Sequence, residues 1–124
     1  MWDAVEADIK AVANMCHKYG TLLKVIFETD ALTMDEAAHA TDAACNAGAD
    51  FVKTSTGFFT GAESKGATPE VIQVMMDAAK GRCKIKGSGC IRDQEHFFKL
   101  IDMGIDRMGI GYRSTPVVLG INFS

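Results

Sequence analysis

The chain has 124 residues, the length of one compact domain spanning 1–124. Of these, 48% are apolar and 23% charged, an ordinary balance for a globular protein. A net charge of -3 argues against a nucleic-acid partner, and the longest apolar runs, around Lys24, are far too short to cross a bilayer.

The opening residues 1–6 (MWDAVE) are acidic and amphipathic, so no signal peptide is expected, and the predicted order starts with a helix. From there a structural repeat runs along the chain. Four times a helix-like stretch ends in glycine, and a short β-rich run follows. The glycines are Gly20, Gly48, Gly81 and Gly104, and the runs are 22–27 (LLKVIF), 51–54 (FVKT), 83–86 (CKIK) and 107–110 (RMGI). Glycine just past a helix closes its last turn, and short runs rich in Val, Ile and Phe suit buried parallel strands. The intervening helices have start signals. Thr33 with Glu36 forms a capping box, Thr68 precedes Pro69, and Asp93 precedes a helix whose His96, Phe97, Leu100 and Ile101 share one face. The predicted order is a helix, three strand–helix units, a last strand and a short tail. That order is an α/β fold on a parallel sheet.

Cys16, Cys45, Cys83 and Cys90 form no C-x-x-C pair and are expected to be free thiols in a reducing cytoplasm. His17, His39 and His96 fall on helices without a companion metal spacing, so no metal site is predicted.

In βα folds, reacting groups gather where strands end, because the following loops share one mouth. Those ends carry Glu28-Thr29, Lys53-Thr54-Ser55-Thr56-Gly57, Lys86-Gly87-Ser88-Gly89 and Gly109-Ile110-Gly111. Two lysines at consecutive strand ends disfavour each other's charge, which lowers one pKa and prepares a neutral amine for attack on a carbonyl. Lys84 shares Lys86's face two residues earlier and is expected at the strand's entry, near solvent. The glycine loops at 87–89 and 109–111 offer backbone N–H groups to a phosphate, and Arg92 offers a fork for the same dianion.

Four segments carry a family resemblance: 22–29 (LLKVIFET), 47–61 (AGADFVKTSTGFFTG), 67–70 (ATPE) and 85–92 (IKGSGCIR). Together they resemble the deoxyribose-phosphate aldolases, over nearly the whole chain. The resemblance implies a Schiff-base enzyme that reversibly cleaves 2-deoxy-D-ribose 5-phosphate to acetaldehyde and D-glyceraldehyde 3-phosphate without a cofactor. It makes Lys53 the imine-forming lysine and Lys86 the second lysine that lowers its pKa. It places Thr56, Gly57, Gly89, Arg92, Gly109 and Gly111 around the sugar phosphate.

The sequence departs from the family pattern in three places. Gly89-Cys90 replaces a pair of glycines, and Gly111-Tyr112 replaces serines after the last strand. The resemblance also aligns the first nine residues with the family's fourth helix. The chain therefore corresponds to strands 5–8 of a (β/α)8 barrel, and the strand-4 catalytic aspartate lies outside it. Such a half-barrel exposes two strand edges and an inner face expected to be apolar, so a homo-oligomer is predicted. The alternatives are an inactive remnant that binds sugar phosphate, and assembly with a partner chain supplying strands 1–4.

Overall fold

The protein is described by a computed structural model covering residues 2–56 and 64–121. The sequence elements appear in the expected order: α1 (Trp2–Lys18), β1 (Lys24–Ile26), a 3-10 turn (Thr29–Ala31), α2 (Met34–Asn46) and β2 (Phe51–Lys53). Then follow α3 (Pro69–Ala79), β3 (Lys84–Ser88), α4 (Gln94–Asp102), β4 (Arg107–Gly109) and α5 (Thr115–Leu119). The helix starts form as their signals direct. Thr33 and Glu36 make the reciprocal capping box, Thr68 Oγ1 accepts from Val71 N–H, and Asp93 accepts from His96 N–H. Gly20, Gly48, Gly81 and Gly104 all have positive φ, between 73° and 94°.

The four strands form one sheet in the order β1-β2-β3-β4, every pair parallel. Each strand lies beside its predecessor, as in a barrel wall; a doubly wound sheet would reverse direction partway. Alternation along the strands then assigns the two faces. Val25, Val52 and Ile85 lie side by side in register, and Gly87 pairs with Met108 on the same side. The helices cover this face, and Ile72, Met75, Leu100 and Val118 are fully buried in the core with Val52. Gly87 is tightly packed there: a Cβ would lie 2.7 Å from Ile105 Cδ1, 3.1 Å from Ala67 Cβ and 3.3 Å from Ile72 Cδ1, so those side chains would have to give way.

Four findings differ from expectation. First, the presumed tail after β4 contains α5, begun by Ser114-Thr115-Pro116 and ended by Gly120 at φ 68°. Second, Ile101 is 44% exposed, so the buried stripe of α4 is Leu100 flanked by half-buried Phe97. Third, Cys45 and Cys83 are joined in a disulfide, whereas Cys16 and Cys90 are free. The end of α2 and the start of β3 meet at the same end of the sheet, with Cα atoms 5.7 Å apart despite 38 residues of separation.

Fourth, the open face of the sheet is cationic, where an apolar face was expected. Its strand positions are Lys24 and Ile26, Phe51 and Lys53, Lys84, Lys86 and Ser88, and Arg107 and Gly109. Phe51 is buried even here. The Lys84 ammonium and the Arg107 guanidinium lie 5.8 Å and 4.4 Å from its ring centroid, covering it through their stems and cation–π contact. Lys84 is at the strand's entry and exposed, as expected.

Candidate active site

The ends of β2 and β3 are locked together by hydroxyl groups. Thr54 Oγ1 donates to Ser88 O at 2.8 Å and accepts from Ser88 N–H at 3.0 Å. Ser88 Oγ donates to Ser55 O at 2.7 Å. All three residues are buried, so these bonds fix the backbone on both sides of the lysines in a water-poor setting. Beyond them the loops before α3 and α4 touch backbone to backbone. Ala67 N–H donates to Gly89 O, and a Cβ on Gly66 would fall 2.2 Å from that oxygen. The loop after β1 supplies two carboxylates. Glu28 accepts from Thr56 N–H and Thr56 Oγ1–H, and Asp30 accepts from the N–H groups of Lys65 and Gly66.

These loops enclose a cavity of about 470 Å³. Lys53, Thr56, Gly89, Arg92, Gly109 and Gly111 all line it, so six of the eight candidate residues come together at one mouth. Gly57 lies outside the described residues. Lys86 is the remaining candidate and stands behind the lining. It pairs in register with Lys53 on one side and Arg107 on the other. A side chain at Gly109 would lie 3.5 Å from Lys86 Cε and 3.1 Å from Ser88 Cβ, so the missing side chain makes room for both. Glu28, Asp30, Ser55 and Ser114 also line the cavity. Glu28 and Ser55 stand at strand ends, which already made them visible; Asp30 and Ser114 carry no motif.

The electrostatics single out Lys86. Burial lowers its pKa from the ordinary 10.5, and like-charge repulsion from Lys24 and Lys53, contact with Lys24, and the charge of Arg107 lower it further. The depressed amine is thus the one behind the cavity wall, and Lys24 joins the expected pair as a third lysine. At the opposite end of the strands Asp50 accepts from Leu23 N–H and from His17 Nε2, and its pKa is held below the usual carboxylate value, chiefly by the backbone bond. His96 Nε2 lies 2.7 Å from Ala67 O, and His39 lies against Trp2. Among the described residues no group of three metal-ligating side chains occurs.

Cys90 takes φ 59°, the left-handed conformation that glycine adopts most readily. Its thiol turns to the Ser64 carbonyl at 3.4 Å. Tyr112 is 80% exposed after β4.

Comparison with known proteins agrees with this geometry. The sequence profile of the DeoC/LacD family aldolases matches residues 2–114. A deoxyribose-phosphate aldolase of Exiguobacterium sp. is 47% identical over 108 residues, 87% of this chain and 46% of that one. Deoxyribose-phosphate aldolase 1 of Vibrio vulnificus is 42% identical over 119 residues, 96% of this chain and 51% of that one. Among solved structures, a putative deoxyribose-phosphate aldolase from Coccidioides immitis superposes with a TM-score of 0.80 at 33% identity, over 97% of this chain and 46% of that one. The tetrameric deoxyribose phosphate aldolase from Aeropyrum pernix gives 0.78 at 28% identity, over 96% and 49%. The chain spans about half the length of the relatives it matches, and its sheet is the corresponding half of their barrel wall. With the profile covering nearly every residue from α1 to the start of α5, the chain belongs to the DeoC/LacD family of aldolases.

Proposed function

We propose that this chain carries the imine-forming half of a deoxyribose-phosphate aldolase site, in a single domain. The carrying observation is that Lys53 lines the cavity while its register partner Lys86 stands within a group of cations on the same face. In this reading the Lys53 amine attacks the substrate's aldehyde carbon, and loss of water leaves a protonated imine. The imine draws in the electron pair of the breaking carbon–carbon bond, so D-glyceraldehyde 3-phosphate departs and an enamine remains. Protonation and hydrolysis then release acetaldehyde. The imine is the electron sink, so the chemistry calls on no metal or organic cofactor. Burial and the charges of Lys24, Lys53 and Arg107 weaken the hold of Lys86 on its proton, and Lys86 stands in register beside Lys53. Gly89, Arg92, Gly109 and Gly111 receive the phosphate, and Gly57 and Thr56 complete the surroundings of the sugar. The setting is a cytoplasmic enzyme of deoxyribonucleotide breakdown.

The charge of the open face bears on how the barrel is completed. A second copy closed face to face would bring five more cations against the five already there, so the reading favours a carboxylate-bearing half over self-closure. Association with further copies, as in the tetrameric relative, is then proposed through the outer helices, where Phe98 and Ile101 of α4 and Val12 and Met15 of α1 are exposed.

Reductive trapping tests the chemistry. After incubation with acetaldehyde and a borohydride reductant, the intact mass should gain one two-carbon adduct that maps to Lys53 and is lost in Lys53→Ala. Random labelling of surface lysines would show that the motifs persist without their reactivity, leaving a remnant that at most binds sugar phosphate.

A further inference from the structure

The Cys45–Cys83 bond lies at the end of the sheet away from the cavity that Lys53 lines, and the proposed reaction makes no use of it. Cys45 stands in the last turn of α2, and Cys83 immediately precedes β3. The ring they close, residues 45–83, contains β2 with Lys53 and the whole of α3. Each cysteine is 8% exposed, so the bond is screened without being sealed. Both line a basal cavity of about 360 Å³ together with Gly48, Gly81, Arg82 and Lys84. Among the described residues a Cβ at Gly81 would meet nothing within 4 Å, and one at Gly48 would meet only Ala13 Cβ. The approach over these two turns is open.

A second link runs beside the disulfide. Arg82, next to Cys83, donates to Asn46, next to Cys45, and at 2.8 Å to Asp42 one turn earlier. It also donates to the carbonyls of Ala78 and Ala79 at 2.6 and 2.9 Å, which fixes the guanidinium against the end of α3. The end of α2 and the start of β3 are thus joined twice, once by sulfur and once by a guanidinium. The charge-assisted bonds do not depend on the sulfur bond, so they hold the two thiols side by side when it is cut. We propose that Cys45–Cys83 is a thiol-exchange site. A small thiol entering the basal cavity opens the bond, Arg82 keeps its halves in register while it is open, and closure tightens the ring that carries Lys53.

The exchange consumes two thiol groups. The first, as thiolate, attacks one sulfur. The protein S–S bond breaks, a mixed disulfide forms, and the other cysteine leaves as a thiolate and takes up a proton. The second thiol attacks the mixed disulfide and departs with the first as an oxidised dimer. Two electrons pass to the protein, and the reverse reaction with that dimer closes the bond. In a reducing compartment, the disulfides that do form are mostly of this exchangeable kind.

The inference is independent of the imine chemistry. To test it, the protein would be equilibrated in glutathione buffers of stepped ratio, quenched, unfolded, alkylated and mapped by peptide. Cys45 and Cys83 should gain alkyl groups together as the reduced share rises, on one curve from either direction. The melting temperature should fall by roughly 10–20 °C over the same range, the effect of opening a ring of this size. Cys45→Ala should melt at about the reduced wild-type temperature in every buffer. Arg82→Gln should open at a roughly tenfold lower thiol ratio, and Asp42→Asn should shift the same way by less. Cys45 and Cys83 alkylated in every buffer would show that no bond forms, and neither alkylated even in fully reduced glutathione would show a permanent staple. Either result overturns the inference. Reduction that leaves the melting temperature unchanged would overturn the tightening of the ring. An unmoved midpoint in both variants would overturn the part assigned to Arg82.

Discussion

The two faces of this sheet are made from alternate residues of the same four short strands, yet they obey different rules. On the covered face Val25, Val52, Ile85 and Gly87 are packed under helices, and a methyl group at Gly87 would have to displace the end of Ile105. On the open face Lys24, Lys53, Lys84, Lys86 and Arg107 crowd together in a chain whose net charge is negative. Burial of apolar area explains the covered face and leaves the cationic one without a reason. On the proposed reading, the cationic face serves the chemistry and a partner. Stability resides on one side and the proposed site on the other, separated by the thickness of a single backbone.

Substitutions can break or sharpen that contrast. The largest effect belongs to the covered face: Ile72→Ala should cost about 2–5 kcal/mol, read as a lowered urea midpoint with an unchanged slope. A smaller loss, about 1–3 kcal/mol, is expected where the two faces meet the site. Thr54→Val keeps the shape but leaves the buried Ser88 N–H and C=O without their hydroxyl partner, and the same urea titration measures it. Cys90→Gly should move stability the other way, raising the melting temperature by relief of about 1 kcal/mol of left-handed strain, partly offset by the looser unfolded chain.

The smallest and most diagnostic effects are electrostatic. Because the folded pKa of Lys86 lies below 10.5, the unfolded state binds more protons between the two values. Its penalty is present in full below the folded pKa and is relieved as pH rises towards 10.5. Asp50 works oppositely. Its folded pKa lies below 3.8, so its contribution is present above that value and is lost as acid carries the pH down through the folded pKa. Denaturation at stepped pH should therefore show a stability loss on the acid side that Asp50→Asn diminishes. An alkaline gain should shrink in Lys24→Gln.

Much of the scaffold was legible because each signal is local. A glycine after each helix, threonine or aspartate before the next, and β-rich runs between them fix the strand order without reference to distant residues. The helix at Thr115–Leu119 had the same kind of signals in Ser114, Pro116 and Gly120, and its brevity made it read as a tail. The site was half legible. Lysines at consecutive strand ends announce themselves, so Lys53 and Lys86 could be paired from the chain alone. Their neighbours could not, because contact between Lys24 and Lys86, or between Glu28 and Thr56, depends on how far side chains lean across a twisted sheet. The polarity of the open face was present in the alternation of 84 and 86 and of 51 and 53. It was masked by the assumption that a barrel's inner face is apolar. The Cys45–Cys83 bridge joins residues 38 apart with no spacing rule between them.

The central claim is that burial, together with the like charges gathered on the open face, weakens the hold of Lys86 on its proton. Side-chain NMR of 15N-lysine protein, titrated with pH and assigned through Lys86→Arg, observes that proton directly. Lys86 should titrate below the exposed lysines, and Lys24→Gln should bring it back towards them. If Lys86 titrates with the surface lysines in wild type and variant alike, the open face is merely charged, and the account of how it prepares an amine is wrong.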